Sequence, residues 1–387
     1  MHIVYMTTDF VNNMGPTTGL PKYLLRVALT LVGWGHKVTV ITCSNRTVEY
    51  SFYGIHVIRV RRPNVIIYGD QTKDTIESCK RDGLILNKVL HEYAEKEKID
   101  IIQYTSLCGI AAFHDLDIPA VMRLSSYACM WPVEGQEESQ MAYARMEREA
   151  ANRCQGIFGP SYVVAKEFSK DIGRPVDVIE TPFVMENRRE DNTLFAKYFE
   201  NREYILFFGT IIGYKGLNVI ADSIREILST WRTVYYAIIG DGDKRLIDKI
   251  LQEAGEYKDR VIYIEAIEFE KLKPIIKNAR VITLPSTMEN FSNACVEALA
   301  IGNVVIGTED TSFEQLITDK KNGFLCKKDD SKSFVYKVNE AMALSEKKRK
   351  EIVINAIKRA NELSPDRVIN QLLDYYSSVI KSSDYIS

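Results

Sequence analysis

The chain has 387 residues, 46% of them hydrophobic and 26% charged, with 50 basic and 52 acidic side chains. That length exceeds one ordinary hydrophobic core and suits two domains of about 150–200 residues each, while the near-balance of charge excludes the basic excess of a nucleic-acid binder. Seven cysteines, scattered, odd in number and free of C-x-x-C spacing, exclude a disulfide framework or a zinc site and read as buried thiols.

The N-terminus opens directly into a strand-like MHIVYM without a basic leader or a long apolar segment, and no apolar run reaches the roughly 18 residues of a membrane span, so a cytoplasmic chain is expected. Short β-branched or aromatic runs follow at 3–6, 38–42, 57–60, 101–104, 120–124, 157–159 and 176–180, separated by segments of helical period that include 21–32, 84–97 and 140–153. Arg59-Val60-Arg61-Arg62 reads as a solvated strand end rather than a lipid contact, and peripheral membrane contact is not indicated. Thr181-Pro182 ends this block, and the polar stretch 186–192 reads as an interdomain connection. A second series of runs lies at 204–208, 234–239, 261–264, 281–284, 304–306 and 324–326, with helical stretches such as 217–229 between them and a terminal helix from Asp366 onward.

Alternation of this kind predicts parallel sheets built from βαβ units. The expected fold class is α/β, with two Rossmann-like domains facing across a cleft: residues 1–184, residues 185–365, and a C-terminal helix over 366–387. Ligands of open α/β sheets bind outside the carboxyl ends of the strands.

The most informative stretch follows Val281. The run VITLP breaks into Ser286-Thr287-Met288-Glu289-Asn290-Phe291-Ser292-Asn293, and a helical pattern carrying Glu297 comes next. Asn290 or Ser292 is the expected N-cap and Gly302 the C-terminal cap. The first amides of such a helix lack internal partners, and its dipole favours an anion, which suits a diphosphate. Glu289 in the loop and Glu297 on the helix can each accept hydrogen bonds from sugar hydroxyls. The plainer alternative puts Glu289 in an ordinary first helical turn and Glu297 against water.

The spacing from Glu289 to Glu297, continued by Ala298-Leu299-Ala300, resembles the E-x7-E segment of retaining GT-B glycosyltransferases of the family-four type, the glycosyl transferases group 1. The segment from Val304 to Cys326 is similar to that family's following strands and loop. Phe207-Phe208-Gly209-Thr210 with Tyr214-Lys215-Gly216-Leu217 resembles its phosphate-binding stretch, and Ile239-Gly240-Asp241-Gly242 its glycine turn. The loop Gly15 to Leu20 and Gly35-His36-Lys37-Val38 resemble the family's first glycine loop and the start of its second strand. Together these patterns keep the family's order from Gly15 to Cys326.

The resemblance implies a retaining glycosyltransferase that moves a sugar from a nucleotide diphosphate-sugar donor to an acceptor hydroxyl. It implies a first domain on the acceptor side, a second domain on the donor side, and a terminal helix that packs back on the first. Carried onto this sequence, it places Lys215 on the diphosphate and Glu289 on the transferred sugar as the catalytic pair, with Glu297 on the ribose. The glycines Gly15, Gly19, Gly209 and Gly240, with Thr210, would border the donor, as would the backbone of Asn290, Phe291, Ser292 and Asn293. The nucleobase is expected against the main chain around Glu265, Ala266 and Ile267. No metal or other cofactor is expected; Asp241-Gly242-Asp243 invites comparison with the metal motif of GT-A enzymes but sits in a Rossmann turn.

Two departures from the family stand out. The arginine usual after the first glycine of the phosphate stretch is Thr210 here, leaving Arg123 or Lys22 as candidate substitute cations. The histidine usual after the strand following Ile118-Pro119 is absent, so Ser125 or Ser126 is the hydroxyl left to meet the donor sugar or acceptor side. His114 reads as an ordinary surface residue. The loop 127–140, with Trp131, Glu134 and Glu137, is expected to border an acceptor that stays unspecified: glycan, lipid-linked carrier, peptide or natural product. Alternatives are a nucleotide-sugar epimerase or phosphorylase of the same architecture, or a non-catalytic nucleotide-sugar binder.

Overall fold

The computed structural model describes residues 1–11, 19–62, 73–131, 137–185 and 189–384. They form two compact units, one of Met1–Pro182 with Pro365–Ser387 and the other of Phe183–Ser364. Within the second unit, the Phe183 amide donates to the Leu363 carbonyl at 2.7 Å, so its two ends are tied together.

The first unit is built on an eight-stranded sheet. Its strands in chain order are β1 (His2–Thr7), β2 (Lys37–Ser44), β3 (Val48–Phe52), β4 (Ile55–Arg61), β5 (Ile101–Thr105), β6 (Ala120–Arg123), β7 (Gly156–Gly159) and β8 (Asp177–Val178), and they lie in the order β3-β4-β2-β1-β5-β6-β7-β8. All pairings are parallel except β3 with β4. Every residue of β1 is buried, as a parallel strand covered on both faces requires. Because side chains alternate across a strand, Ile3 and Tyr5 join the core under helices Gly19–Gly33 and Pro365–Asp384. Val4 and Met6 enter the core on the other face, which holds residues of helices Lys73–Ala94, Glu137–Asn152 and Tyr162–Ile172. The terminal helix sets Val368, Ile369, Leu372 and Tyr376 into the first of these layers. There the Tyr376 hydroxyl donates to Gln103 and meets that of Tyr5 at 3.3 Å.

The second unit carries a six-stranded parallel sheet of β9 (Tyr204–Phe208), β10 (Tyr235–Ile239), β11 (Val261–Ile264), β12 (Val281–Thr283), β13 (Val305–Thr308) and β14 (Phe324–Cys326), in the order β11-β10-β9-β12-β13-β14. One continuous core encloses it.

Several expectations need correction. Strand β3 falls between the runs anticipated at 38–42 and 57–60. It is an edge strand of alternating burial, joined to β4 by Tyr53 and Gly54, both with φ in the left-handed region. The helix expected to start at residue 84 begins at Lys73. Gly83, the apparent break, lies in its buried stripe, where an added Cβ would come within 2.4 Å of the Phe113 ring. Arginines read as a solvated strand end are largely structural: Arg59 donates to Tyr50 at 2.9 Å and to the Val11 carbonyl, and Arg62 pairs with the buried Asp82 at 3.3 Å. Six cysteines are buried but Cys129 is exposed, and all seven are free thiols. No helix among the described residues is long and apolar enough to cross a membrane.

After β6 the chain is gripped by helix Glu137–Asn152. Gln140 donates to the Ala128 carbonyl at 2.7 Å, and Glu147 accepts from the Ala128 amide at 2.9 Å. Glu147 is buried and makes no ion pair among the described residues; burial pushes its carboxyl up to about 8, against a weaker opposing pull from that hydrogen bond and Arg148. An acid whose folded-state value is raised holds its proton more tightly in the folded chain. It therefore lowers stability as pH climbs from the ordinary carboxylate range, about 4.5, to about 8. We expect Glu147→Gln to match the native protein in thermal melts near pH 4.5 and to exceed it by several degrees at pH 8, given about 2–4 °C per kcal/mol in domains of this size. Equal melting temperatures at both pH values would remove the assignment.

Candidate functional site

Four neighbouring strands of the second sheet, β11, β10, β9 and β12, deliver their carboxyl ends side by side. Loops 265–268, 240–243, 209–216 and 284–292 follow those ends and meet there. Open parallel sheets bind their ligands at this edge.

Backbone-to-backbone contacts hold the loops. The Gly209 amide donates to Ile239 at 3.0 Å, Ile211 to the Asp241 carbonyl at 2.8 Å, and Asp243 to the Ile211 carbonyl at 2.8 Å. These bonds require close approach: a Cβ on Gly240 would lie 1.8 Å from the Gly209 carbonyl oxygen. Gly216 permits an equally close approach at the neighbouring strand. Its φ is 82°, and an added Cβ would lie 1.9 Å from the Pro285 oxygen. Beside it the Thr287 amide donates to the Tyr214 carbonyl at 2.8 Å. The turn carrying Lys215 and the loop carrying Glu289 are thus one backbone assembly.

Their side chains meet. Lys215 Nζ donates to Glu289 Oε2 at 2.5 Å, with Glu289 8% exposed. Ser292, not Asn290, is the N-cap of helix Asn293–Ile301, its hydroxyl accepting from the Cys295 amide at 3.3 Å, and Gly302 closes the helix with φ 89°. Burial, with the Glu289 charge nearby, pushes the Cys295 thiol up, so it is a neutral packing group. Glu297 is half-buried one turn into the helix, Phe291 packs on the core, and Asn290 and Asn293 are half-buried. Thr210 is exposed just after Gly209.

Around the expected base loop the structure gives Asp241, read in the sequence only as part of the glycine turn, a role of its own. Asp241 accepts from the Ala266 amide at 2.8 Å, so this amide is taken within the protein. Ala266 is exposed, while Ile267 packs on the core. Asp243 caps helix Lys244–Ala254, accepting from the Arg245 amide at 3.0 Å. Both acids of the Asp241-Gly242-Asp243 turn therefore hold backbone. No metal-competent cluster of His, Cys, Asp or Glu occurs among the described residues.

In the first unit, Gly15 and Glu134 lie outside the described residues, and Gly19 is the exposed first residue of helix Gly19–Gly33. Lys22 is exposed on the first turn of that helix. Arg123 is not a surface cation. It is 4% exposed, its guanidinium lies 3.6 Å from the centre of the Tyr23 ring and donates to Thr181 at 3.1 Å, and burial holds its pKa below the usual arginine range. Ser125 and Ser126 are half-buried at the carboxyl end of β6, where the Ser106 hydroxyl accepts from the Ser125 amide at 3.0 Å and donates to the Ser126 carbonyl at 3.3 Å. His114 is buried rather than at the surface, bridging the Tyr104 hydroxyl at 3.0 Å and the Ile118 carbonyl at 3.2 Å.

Two Rossmann-like units, the first on a sheet parallel but for β3 and the second on a wholly parallel sheet, have the fold of the GT-B glycosyltransferases. Residues 190–359 match the glycosyl transferases group 1 family and residues 17–185 match Glycosyltransferase Family 4, so each unit carries its own glycosyltransferase family match. An uncharacterized glycosyltransferase of Methanocaldococcus jannaschii is 22% identical, covering 92% of this chain and 94% of that protein. One subunit of the Homo sapiens phosphatidylinositol N-acetylglucosaminyltransferase is 20% identical over 82% of this chain and 64% of that protein. The fold is similar to that of sucrose-phosphate synthase from Thermosynechococcus elongatus, with TM-score 0.79 and 15% identity over 99% of this chain and 100% of that one. Anabaena HepE in complex with UDP-glucose aligns with TM-score 0.72 and 16% identity over 98% of this chain and 100% of that one.

We expect Gly216→Ala to destabilise the second unit by about 2–3 kcal/mol, since both φ and the Pro285 oxygen oppose a Cβ. Chemical denaturation would register this as an earlier midpoint for that unit, and an unchanged midpoint would show that the two loops are not held together as described.

Proposed function

We propose that this glycosyltransferase uses a nucleotide diphosphate-sugar and transfers its sugar to an acceptor hydroxyl with retention of configuration. The observation that carries the reading is the juxtaposition of Lys215, Glu289 and the N-terminus of helix Asn293–Ile301 at the carboxyl edge of one sheet. A cation and a helix N-terminus suit a diphosphate, and a carboxylate beside them suits sugar hydroxyls. The complex of Anabaena HepE with UDP-glucose supports the donor class by similarity of fold.

In this reading Lys215 and the first amides of the helix, at Asn293 and Ala294, stabilise the charge that develops on the leaving diphosphate, the largest electrostatic demand of the reaction. Glu289 holds the transferred sugar and Glu297 the ribose. Gly209, Thr210 and Gly240 border the donor, and the base rests against backbone near Ala266 and Ile267, with the Ala266 carbonyl the group left to read it. The bond from the anomeric carbon to the diphosphate oxygen breaks with its electron pair going to the diphosphate. The acceptor oxygen then bonds to the same face and its proton passes to a departing phosphate oxygen. Lys215 and the helix dipole supply the charge compensation for which other glycosyltransferases use a metal, so no metal is needed. Ser125 and Ser126 are the first-unit groups assigned to the sugar or acceptor. Glycans, glycolipids and natural-product glycosides are the acceptor classes in view.

Incubation with UDP-, GDP- and ADP-sugars, with and without cell extract, tests the proposal. Release of nucleoside diphosphate only when extract supplies an acceptor is the expected result; turnover without acceptor would indicate an epimerase, and dependence on inorganic phosphate a phosphorylase. Glu297→Ala should weaken donor binding in calorimetry by about 1.5–3 kcal/mol, the worth of a hydrogen bond to a charged group, with the circular dichroism unchanged. Unaltered donor affinity would take Glu297 out of the site.

A further inference from the structure

We propose that Lys215 and Glu289 exchange partners as the donor arrives and leaves, so that the site favours nucleotide-sugar over free nucleoside diphosphate. The inference rests on the donor reading above. Its starting point is that the two side chains assigned to diphosphate and sugar are bonded to each other at 2.5 Å. Neither makes another ion pair among the described residues.

The backbones beneath them cannot readily move apart. Gly216 is seated against the Pro285 carbonyl, and the Thr287 amide is bonded to Tyr214. Any opening of the pair must therefore come from the side chains, and the Lys215 side chain, 24% exposed, is the longer and freer of the two. Glu289 is more enclosed, at 9% side-chain exposure.

A diphosphate competes with Glu289 for the ammonium. If it wins, the carboxylate is left enclosed, ionised and without a cation, which is costly. Free nucleoside diphosphate has nothing with which to offset that cost. A nucleotide-sugar does, because its sugar hydroxyls donate to the vacated carboxylate in charge-assisted hydrogen bonds. The sugar thus opens the pair for the diphosphate. Once the sugar has been transferred, Glu289 recaptures Lys215 and loosens the spent nucleotide.

Calorimetry with UDP, GDP and ADP, and with UDP-glucose, GDP-mannose and ADP-glucose, on the native protein, Glu289→Gln, Lys215→Ala and the double variant tests this, with circular dichroism confirming each fold. Glu289→Gln should bind the free diphosphate about 3–10-fold tighter and the matching nucleotide-sugar about 10-fold weaker, roughly the difference between a charged and a neutral hydrogen bond. In the Lys215→Ala background the gain for the diphosphate should vanish, as a double-mutant cycle requires of a coupled pair. Unchanged or weaker diphosphate binding by Glu289→Gln overturns the exchange. So does a gain that persists without Lys215, which would show direct repulsion by the carboxylate instead. Failure of the folded native protein to bind any of the six nucleotides overturns the donor reading, and the exchange with it.

Discussion

Close backbone contact at the carboxyl ends of β10, β9 and β12 is the constraint on which the candidate site depends. Three loops from three strands approach until a methyl group would not fit between Gly240 and Gly209 or between Gly216 and Pro285. Side chains on such loops are placed by main-chain hydrogen bonds, which are short and directional. Lys215 and Glu289 can therefore meet although 74 positions separate them. The same contact sets a helix N-terminus beside that pair, an arrangement of cation, carboxylate and helix dipole that underlies the proposed donor reading.

The first unit invests its polar groups differently. Arg123, Gln103, Tyr5 and Tyr376 are buried between the sheet and two helices, and the last of these comes from the far end of the chain. Such groups are stable there only where hydrogen bonds or stacking compensate for lost water. The stacking of Arg123 on Tyr23 and its bond to Thr181 supply some of that compensation. This explains why a residue whose charge invites a ligand role lies inside the fold. In a similar way Gln140 and Glu147 spend their polar atoms on the Ala128 peptide, holding the chain after Ser125 and Ser126.

Much of the architecture could be read from the residues. The strands of the second unit are continuous β-branched or aromatic runs, and β9, β11 and β14 begin and end where those runs do. Strand β3 escaped notice because its turn is Tyr53-Gly54, without the asparagine or aspartate that usually announces a two-residue hairpin, although Val48, Tyr50 and Phe52 alternate correctly. The start of helix Lys73–Ala94 was hidden by a glycine that serves packing against Phe113. His114 gave no local sign of burial, because its partners are Tyr104 and a carbonyl of the following loop.

Taken alone, the sequence determined two sheets of mainly parallel βαβ build, the glycines at strand ends, the C-terminal cap at Gly302 and a resemblance to a glycosyltransferase family. These are local properties: periodicity, capping chemistry and short motifs act over a few residues. Tertiary structure decided the rest. Lys215 faces Glu289, Asp241 takes the Ala266 amide across 25 positions, and Arg123 turns inward to Thr181 across 58. Strand order and register bring such residues together, and neither is encoded in any single window of the chain.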